Sequence, residues 1–138
     1  MNRKILHSFA ELIDKLTINQ IKIIKSSEEN SDYLEEIVRI SNDLNIIIES
    51  ENLSLDSELI HSIIAISQLN LHIWNNKDEM QENLNNEDRY LKLLKQAHQL
   101  NGFRNKIKNN LLAFEGIKDK SQIRSNFETD GMNINLGL

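Results

Sequence analysis

Cysteine and proline are absent from this sequence of 138 residues, and glycine occurs 4 times. Without cysteine the chain can hold no disulfide, no thiol nucleophile and no thiolate metal site. Such a chain fits the cytoplasm. Without proline, no residue locks φ or removes a backbone donor. All four glycines lie at or after Gly102, so nothing upstream interrupts a helix covalently. A β-sandwich or a β-barrel needs far more turn chemistry than this. Long apolar runs are missing as well. Apolar stretches such as Ile46–Ile48 and Ile63–Ile66 are far too short to cross a bilayer. Met1–Ser8 is polar with no apolar run behind it, so no signal peptide is expected.

What remains is enough for a core. Hydrophobic residues make up 39% and charged residues 27%. A chain of this size buries about two thirds of its unfolded surface and fits one domain. The formal net charge of -5 disfavours nucleic acid as a partner. The best local basic stretch is Lys92, Lys95, Arg104, Lys106, Lys108, Lys118 and Lys120. DNA binding would require these to gather on one face.

The apolar residues recur at three and four, which predicts an all-α fold. The expected architecture is an antiparallel bundle of about four long helices over residues 1–116. A first helix is predicted from about Lys4 to Ser26, through Leu6, Phe9, Leu12, Leu16 and Ile23. It is apolar around much of its surface, so it belongs either at the centre of the bundle or against another subunit. A second is predicted over Asp32–Glu49, with Ser31 as its cap. Its stripe runs through Leu34, Ile37, Val38, Ile40, Leu44, Ile47 and Ile48. A third covers Ser57–Asn83, with Leu59, Ile60, Ile63, Ile64, Ile66, Leu69, Ile73 and Met80. A fourth covers Glu87–Phe114, through Leu91, Leu94, Ala97, Leu100, Ile107, Leu111 and Phe114. Gly102 lies inside it and either packs locally or splits it. Gly116 is a fitting stop. Residues 117–138 lose the helical period and read as a partly disordered or partner-docking tail. Met132-Asn133-Ile134-Asn135-Leu136 alternates like a short strand.

Three polar constellations carry the candidate chemistry. In the first, Glu11 and Lys15 stand four apart in the favourable order, with Asp14 and Thr17 beside them. They form either an exposed ion pair worth a few tenths of a kcal/mol or an anion site between helices. In the second, Asn70, Trp74 and Asp78 stack on one helix face at successive turns. Trp74, the sole tryptophan, is either a core anchor or the aromatic wall of a pocket for a sugar or base. In the third, Asn101, Arg104 and Lys108 share one side. An inward Arg104 needs an acid, and Glu11, Asp14 or Asp78 could supply it. An Arg–Lys pair could also hold a phosphate.

His7, His61, His72 and His98 form no zinc motif. Two carboxylate groups, Asp32, Glu35, Glu36 and Asp78, Glu79, Glu82, have the spacing of a magnesium site but also of ordinary solvated helix surface. No phosphate loop, nucleophile elbow or dinucleotide fingerprint occurs. No metal and no cofactor are expected.

The segment Glu11-Leu12-Ile13-Asp14-Lys15-Leu16-Thr17-Ile18, followed by Ile21-Lys22, resembles a small uncharacterised bacterial and phage family, often encoded among glycosyltransferase and surface-polysaccharide genes. The likeness covers about Ser8–Leu112. It continues through Leu69-Asn70 with Trp74 and Asp78, and through Asn101, Arg104 and Lys108. The chain departs from the pattern at Lys77 and Gly102, where the family usually has acids. The resemblance implies a helical domain whose polar residues on the first, third and fourth helices meet. It assigns no activity and points to a role near glycan assembly.

Two functions follow as expectations. One is a non-catalytic helical accessory or scaffold protein that self-associates as a homo-oligomer and binds a protein partner, in surface-glycan biosynthesis. The other is binding or processing of a sugar nucleotide or sugar phosphate. Its inter-helix pocket would use Glu11, Asp14, Lys15, Asn70, Trp74, Asp78, Asn101, Arg104 and Lys108.

Overall fold

The computed structural model describes residues 7–26 and 30–116. Four helices follow in order: α1 (Phe9–Lys25), α2 (Ser31–Ser50), α3 (Ser57–Glu82) and α4 (Glu87–Phe114). Among the described residues no strand occurs. The expected tail and its alternating segment at 132–136 lie outside the described residues, as do Leu6 and the rest of 1–6.

Three of the four helices start where a side chain satisfies an orphan amide group. Ser8 accepts from the Glu11 amide, Asp56 from that of Leu59 and Asn86 from that of Arg89. The second helix starts one residue earlier than the sequence suggested. Asn30 rather than Ser31 takes the cap position, and it makes no side-chain capping bond. The first turn still carries Asp32, whose charge suits that end. α4 runs unbroken through Gly102. Flanking packing from Leu100, Phe103 and Ile107, all buried, outweighs the roughly 1 kcal/mol propensity cost of a helical glycine. Gly116 then adopts φ 72, the left-handed conformation that suits glycine after a helix.

The topology is read from the contacts between helices. Lys22 lies over the Tyr33 ring, closing the α1–α2 hairpin. Glu79 meets Arg89 and the Asn76 amide donates to the Leu93 carbonyl, so α3 and α4 run antiparallel. α1 contacts all three other helices, and the α3–α4 contact is the most extensive. α2 packs chiefly against α1. The broad apolar surface of α1 is therefore explained by a central position.

The core is one cluster to which all four helices contribute. Ile66, Leu100 and Leu111 are fully enclosed, and Leu12, Ile47 and Ile107 nearly so. The buried stripes are narrower than the sequence suggested. On α2 only Ile40, Leu44 and Ile47 are buried, while Leu34, Val38 and Ile48 face solvent. On α3, Ile60 and Ile64 are exposed. On α4, Leu93 is buried, and Leu91 and Leu94 are outside. When a helix is apolar on several sides, periodicity fixes its type but not which side turns inward.

Candidate functional site

The central polar cluster is assembled from α1, α3 and α4. Asp14 sits on the buried side of α1, between Leu12–Ile13 and Ile21, with a side chain that is 3% exposed. A carboxylate so enclosed needs partners, because losing water costs several kcal/mol. The antiparallel α4 supplies them. Arg104 Nε donates to Asp14 Oδ1 at 3.1 Å and Nη2 to Oδ2 at 2.5 Å, a bidentate pairing of guanidinium and carboxylate. One turn further along α4, Lys108 Nζ lies 3.3 Å from Asp14 Oδ2 and 2.8 Å from Glu11 Oε1.

α3 contributes Asn70. Its amide donates to Asp14 Oδ1 at 2.9 Å and to Thr17 Oγ1 at 2.6 Å. The Thr17 hydroxyl donates in turn to the Asp14 carbonyl at 2.8 Å. Both carboxylate oxygens of Asp14 thus accept more than one donor each. Two cations and two carboxylates leave the cluster with no net charge.

The titration behaviour follows from this geometry. Burial pushes the Asp14 carboxyl up. The hydrogen bond and charge of Arg104, the Asn70 amide and the Lys108 charge together outweigh it, and the carboxyl titrates below its ordinary range. Lys108 is pulled below the ordinary lysine value. Burial is the largest cause and the Arg104 charge adds to it, with Asp14 only partly opposing.

Of the residues singled out in the sequence, the structure brings together Glu11, Asp14, Asn70, Arg104 and Lys108. The others point elsewhere. Lys15 Nζ lies 3.2 Å from His7 Nε2. Asn101 donates back to the Ala97 carbonyl of its own helix. Trp74 is half-buried one turn beyond Asn70, and Asp78 is exposed. Thr17 is a member that the sequence placed only beside the group. The buried polar residues Asn19, Ser62 and Asn76 had no signal, since each has a polar neighbour in sequence like any surface residue. Asn19 Oδ1, Ser62 Oγ and Asn76 Oδ1 have no partner among the described residues.

A shallow depression of about 170 Å³ lies elsewhere, between the start of α3 and the end of α4, lined by Glu58, Asn110, Ala113 and Phe114. Among the described residues no group of three or more His, Asp or Glu could hold a metal ion. Nor is any helix there long and apolar enough to cross a membrane. No protein-family model matches the chain, and no curated protein or solved structure matches it significantly.

Proposed function

We propose that this chain is a non-catalytic helical scaffold that self-associates and docks a protein partner through outer apolar positions. The observation that carries this reading is the grouping of exposed apolar side chains. Leu34, Val38 and Ile48 follow one stripe of α2, and Ile60 and Ile64 stand one turn apart on α3. Single exposed apolar residues are ordinary, whereas stripes on a helix face mark contact surfaces. The polar cluster supports the reading from the other side. Arg104 and Lys108, the cations a phosphate would need, are already engaged by Asp14 and Glu11. An anion would have to displace a buried carboxylate, at a cost of several kcal/mol. The cluster therefore serves as an internal clamp. The sequence resemblance supplies surface-glycan assembly as the setting for the scaffold.

Light scattering across a concentration series tests the reading, with an increase in mean mass as the expected result. A thermal-melt series with nucleotide sugars and sugar phosphates runs beside it. A saturable upward shift, lost in Arg104→Ala, would overturn the clamp assignment, since a ligand that binds the folded state raises its melting temperature by mass action.

A further inference from the structure

We infer that the buried polar network is a rotational lock on α3. Of two settings that would bury similar apolar side chains, it selects the one that leaves Ile60 and Ile64 outside. The inference deepens the scaffold reading, because Ile60 and Ile64 belong to the proposed contact surface, but the lock acts within a single chain. The case starts from what α3 lacks. Between Leu59 and Asn76 it carries no Asp, Glu, Lys or Arg, so no charge marks a solvent side. Instead it offers two apolar sides, roughly opposite at about 3.6 residues per turn. One holds Leu59, Ile66, Leu69 and Ile73, all buried. The other holds Ile60 and Ile64, both exposed, with Leu71 and Trp74 half-buried. Each side has four large apolar residues, and the hydrophobic effect is non-directional. Apolar burial therefore does not choose between them.

Polar partners do choose. Asn70 and Asn76 flank Ile73 on the inward side, and both are buried. Asn70 reaches α1, donating to Asp14 Oδ1 at 2.9 Å and to Thr17 Oγ1 at 2.6 Å. Asn76 reaches α4, donating to the Leu93 carbonyl at 3.1 Å. The two asparagines stand about 9 Å apart along the helix axis, at a rise of about 1.5 Å per residue. Contacts at two heights, to two different helices, fix both the rotation of α3 and its position along the bundle. Those two helices are tied to each other at the same point. Asp14 Oδ1 also accepts from Arg104 Nε, so one carboxylate oxygen registers α3 and α4 on α1. A half-turn of α3 would carry both amides away from their acceptors and take a donor from a buried carboxylate, which is costly in a low-dielectric interior. A single buried asparagine fixes register in coiled coils by the same means, at some expense of stability.

The test reads two thiol reporters on α3 of the whole chain, which has no cysteine of its own. Ser62→Cys exchanges oxygen for sulfur at a fully buried side chain whose hydroxyl has no partner among the described residues. Gln68→Cys lies on the exposed stripe, one turn beyond Ile64. With the asparagines intact, a soluble disulfide reagent should modify Gln68→Cys quickly and Ser62→Cys about a hundredfold more slowly or less. Asn70→Leu with Asn76→Leu then removes the lock while leaving Asp14 paired with Arg104 and Lys108. In that background the two rates should move in opposite directions. Ser62→Cys should react about tenfold faster. Gln68→Cys should react about twofold slower, since an equally populated second setting hides it half the time. Loosening alone speeds Ser62→Cys and never slows Gln68→Cys. A rate at Gln68→Cys that is unchanged or raised therefore overturns the lock, whatever happens at Ser62→Cys. Circular dichroism checks the fold. If the double variant is not helical, Asn76→Leu alone leaves the Asp14 cluster intact and is read by the same two rates, with the same outcomes. The rates are taken at a dilution where the chain is monomeric. Opposite changes in a chain that light scattering shows never to assemble would overturn the scaffold reading and leave the lock standing.

Discussion

Replacing Asp14 by asparagine keeps its shape and its bond from Asn70 but removes the charge that Arg104 and Lys108 share. Two cations would then stand in the interior with only Glu11 between them. We expect Asp14→Asn to destabilise the fold by about 3–5 kcal/mol, read from urea unfolding. The same site sets an acid limb. A carboxyl whose folded value lies below its ordinary 3.8 binds fewer protons folded than unfolded. Its contribution is therefore present above about pH 4 and is lost as pH falls through the folded value. The unaltered chain should lose stability steeply on acidification, and Asp14→Asn should show a shallower slope over that range. An internal clamp makes a further demand. The triple change Asp14→Leu, Arg104→Met, Lys108→Met removes the buried charges together, and Glu11, partly exposed, can rehydrate. It should recover most of the stability lost in Asp14→Asn, since well-packed apolar groups often replace buried ion clusters without loss. A triple variant as unstable as the single one would refute that account.

At the level of single helices, caps and packing decide the boundaries. Asp56→Ala should cost about 1 kcal/mol, because Asp56 holds the Leu59 amide at 2.7 Å and opens α3, which buries Leu59, Ile66, Leu69 and Ile73 in the core. Glu115 does comparable work from a distance of 106 residues: its carboxylate accepts from the Phe9 amide, so the end of α4 caps the start of α1. Glu115→Ala should lower the melting temperature more than Glu115→Gln, which keeps an acceptor but not the charge. These elements also show how much could be read from the chain alone. Four helices, their approximate limits and the stop at Gly116 follow from spacing and from the missing breakers. Asp14 stood out only beside the Glu11–Lys15 pair, and Arg104 and Lys108 as two cations on one helix side, of which an inward arginine needs an acid. The rotational setting of α2, α3 and α4 was not legible. Ile60 and Ile64 are as apolar as Ile66, so nothing local says which faces inward. Trp74, half-buried, and Asp78, exposed, follow Asn70 at successive turns, and how far the cluster reaches along α3 depends on where α1 crosses it. The Ser8 cap is local, since Ser8 accepts from an amide three residues on and Ser8-Phe9-Ala10-Glu11 has capping-box spacing, whereas the Glu115 contact depends on tertiary placement, which a pattern of residues does not encode.

For the whole molecule, uneven cover of the helices predicts uneven stability. α3 and α4 share the largest contact, whereas α2 leans chiefly on α1. Amides of α2 should exchange with solvent at lower opening free energy than those of central α3 and α4, a pattern that hydrogen exchange with mass spectrometry reads directly. Equal protection across all four helices would contradict it. Assembly through α2 should raise protection there selectively, which links exchange rates to concentration. The position of the clamp has a consequence for biosynthesis. Arg104 lies 90 residues beyond the carboxylate it neutralises. At translation rates of about 5–20 residues per second, α1 waits on the order of 5–18 s outside the ribosome before its counter-charge is made. During that interval α2 and then α3 are made and can cover part of its apolar surface, while the side that α4 will cover stays open. The newborn chain therefore carries an unneutralised Asp14 through the window between the two ends of its own clamp, and slowing translation between Gly102 and Lys108 should lower the yield of folded protein.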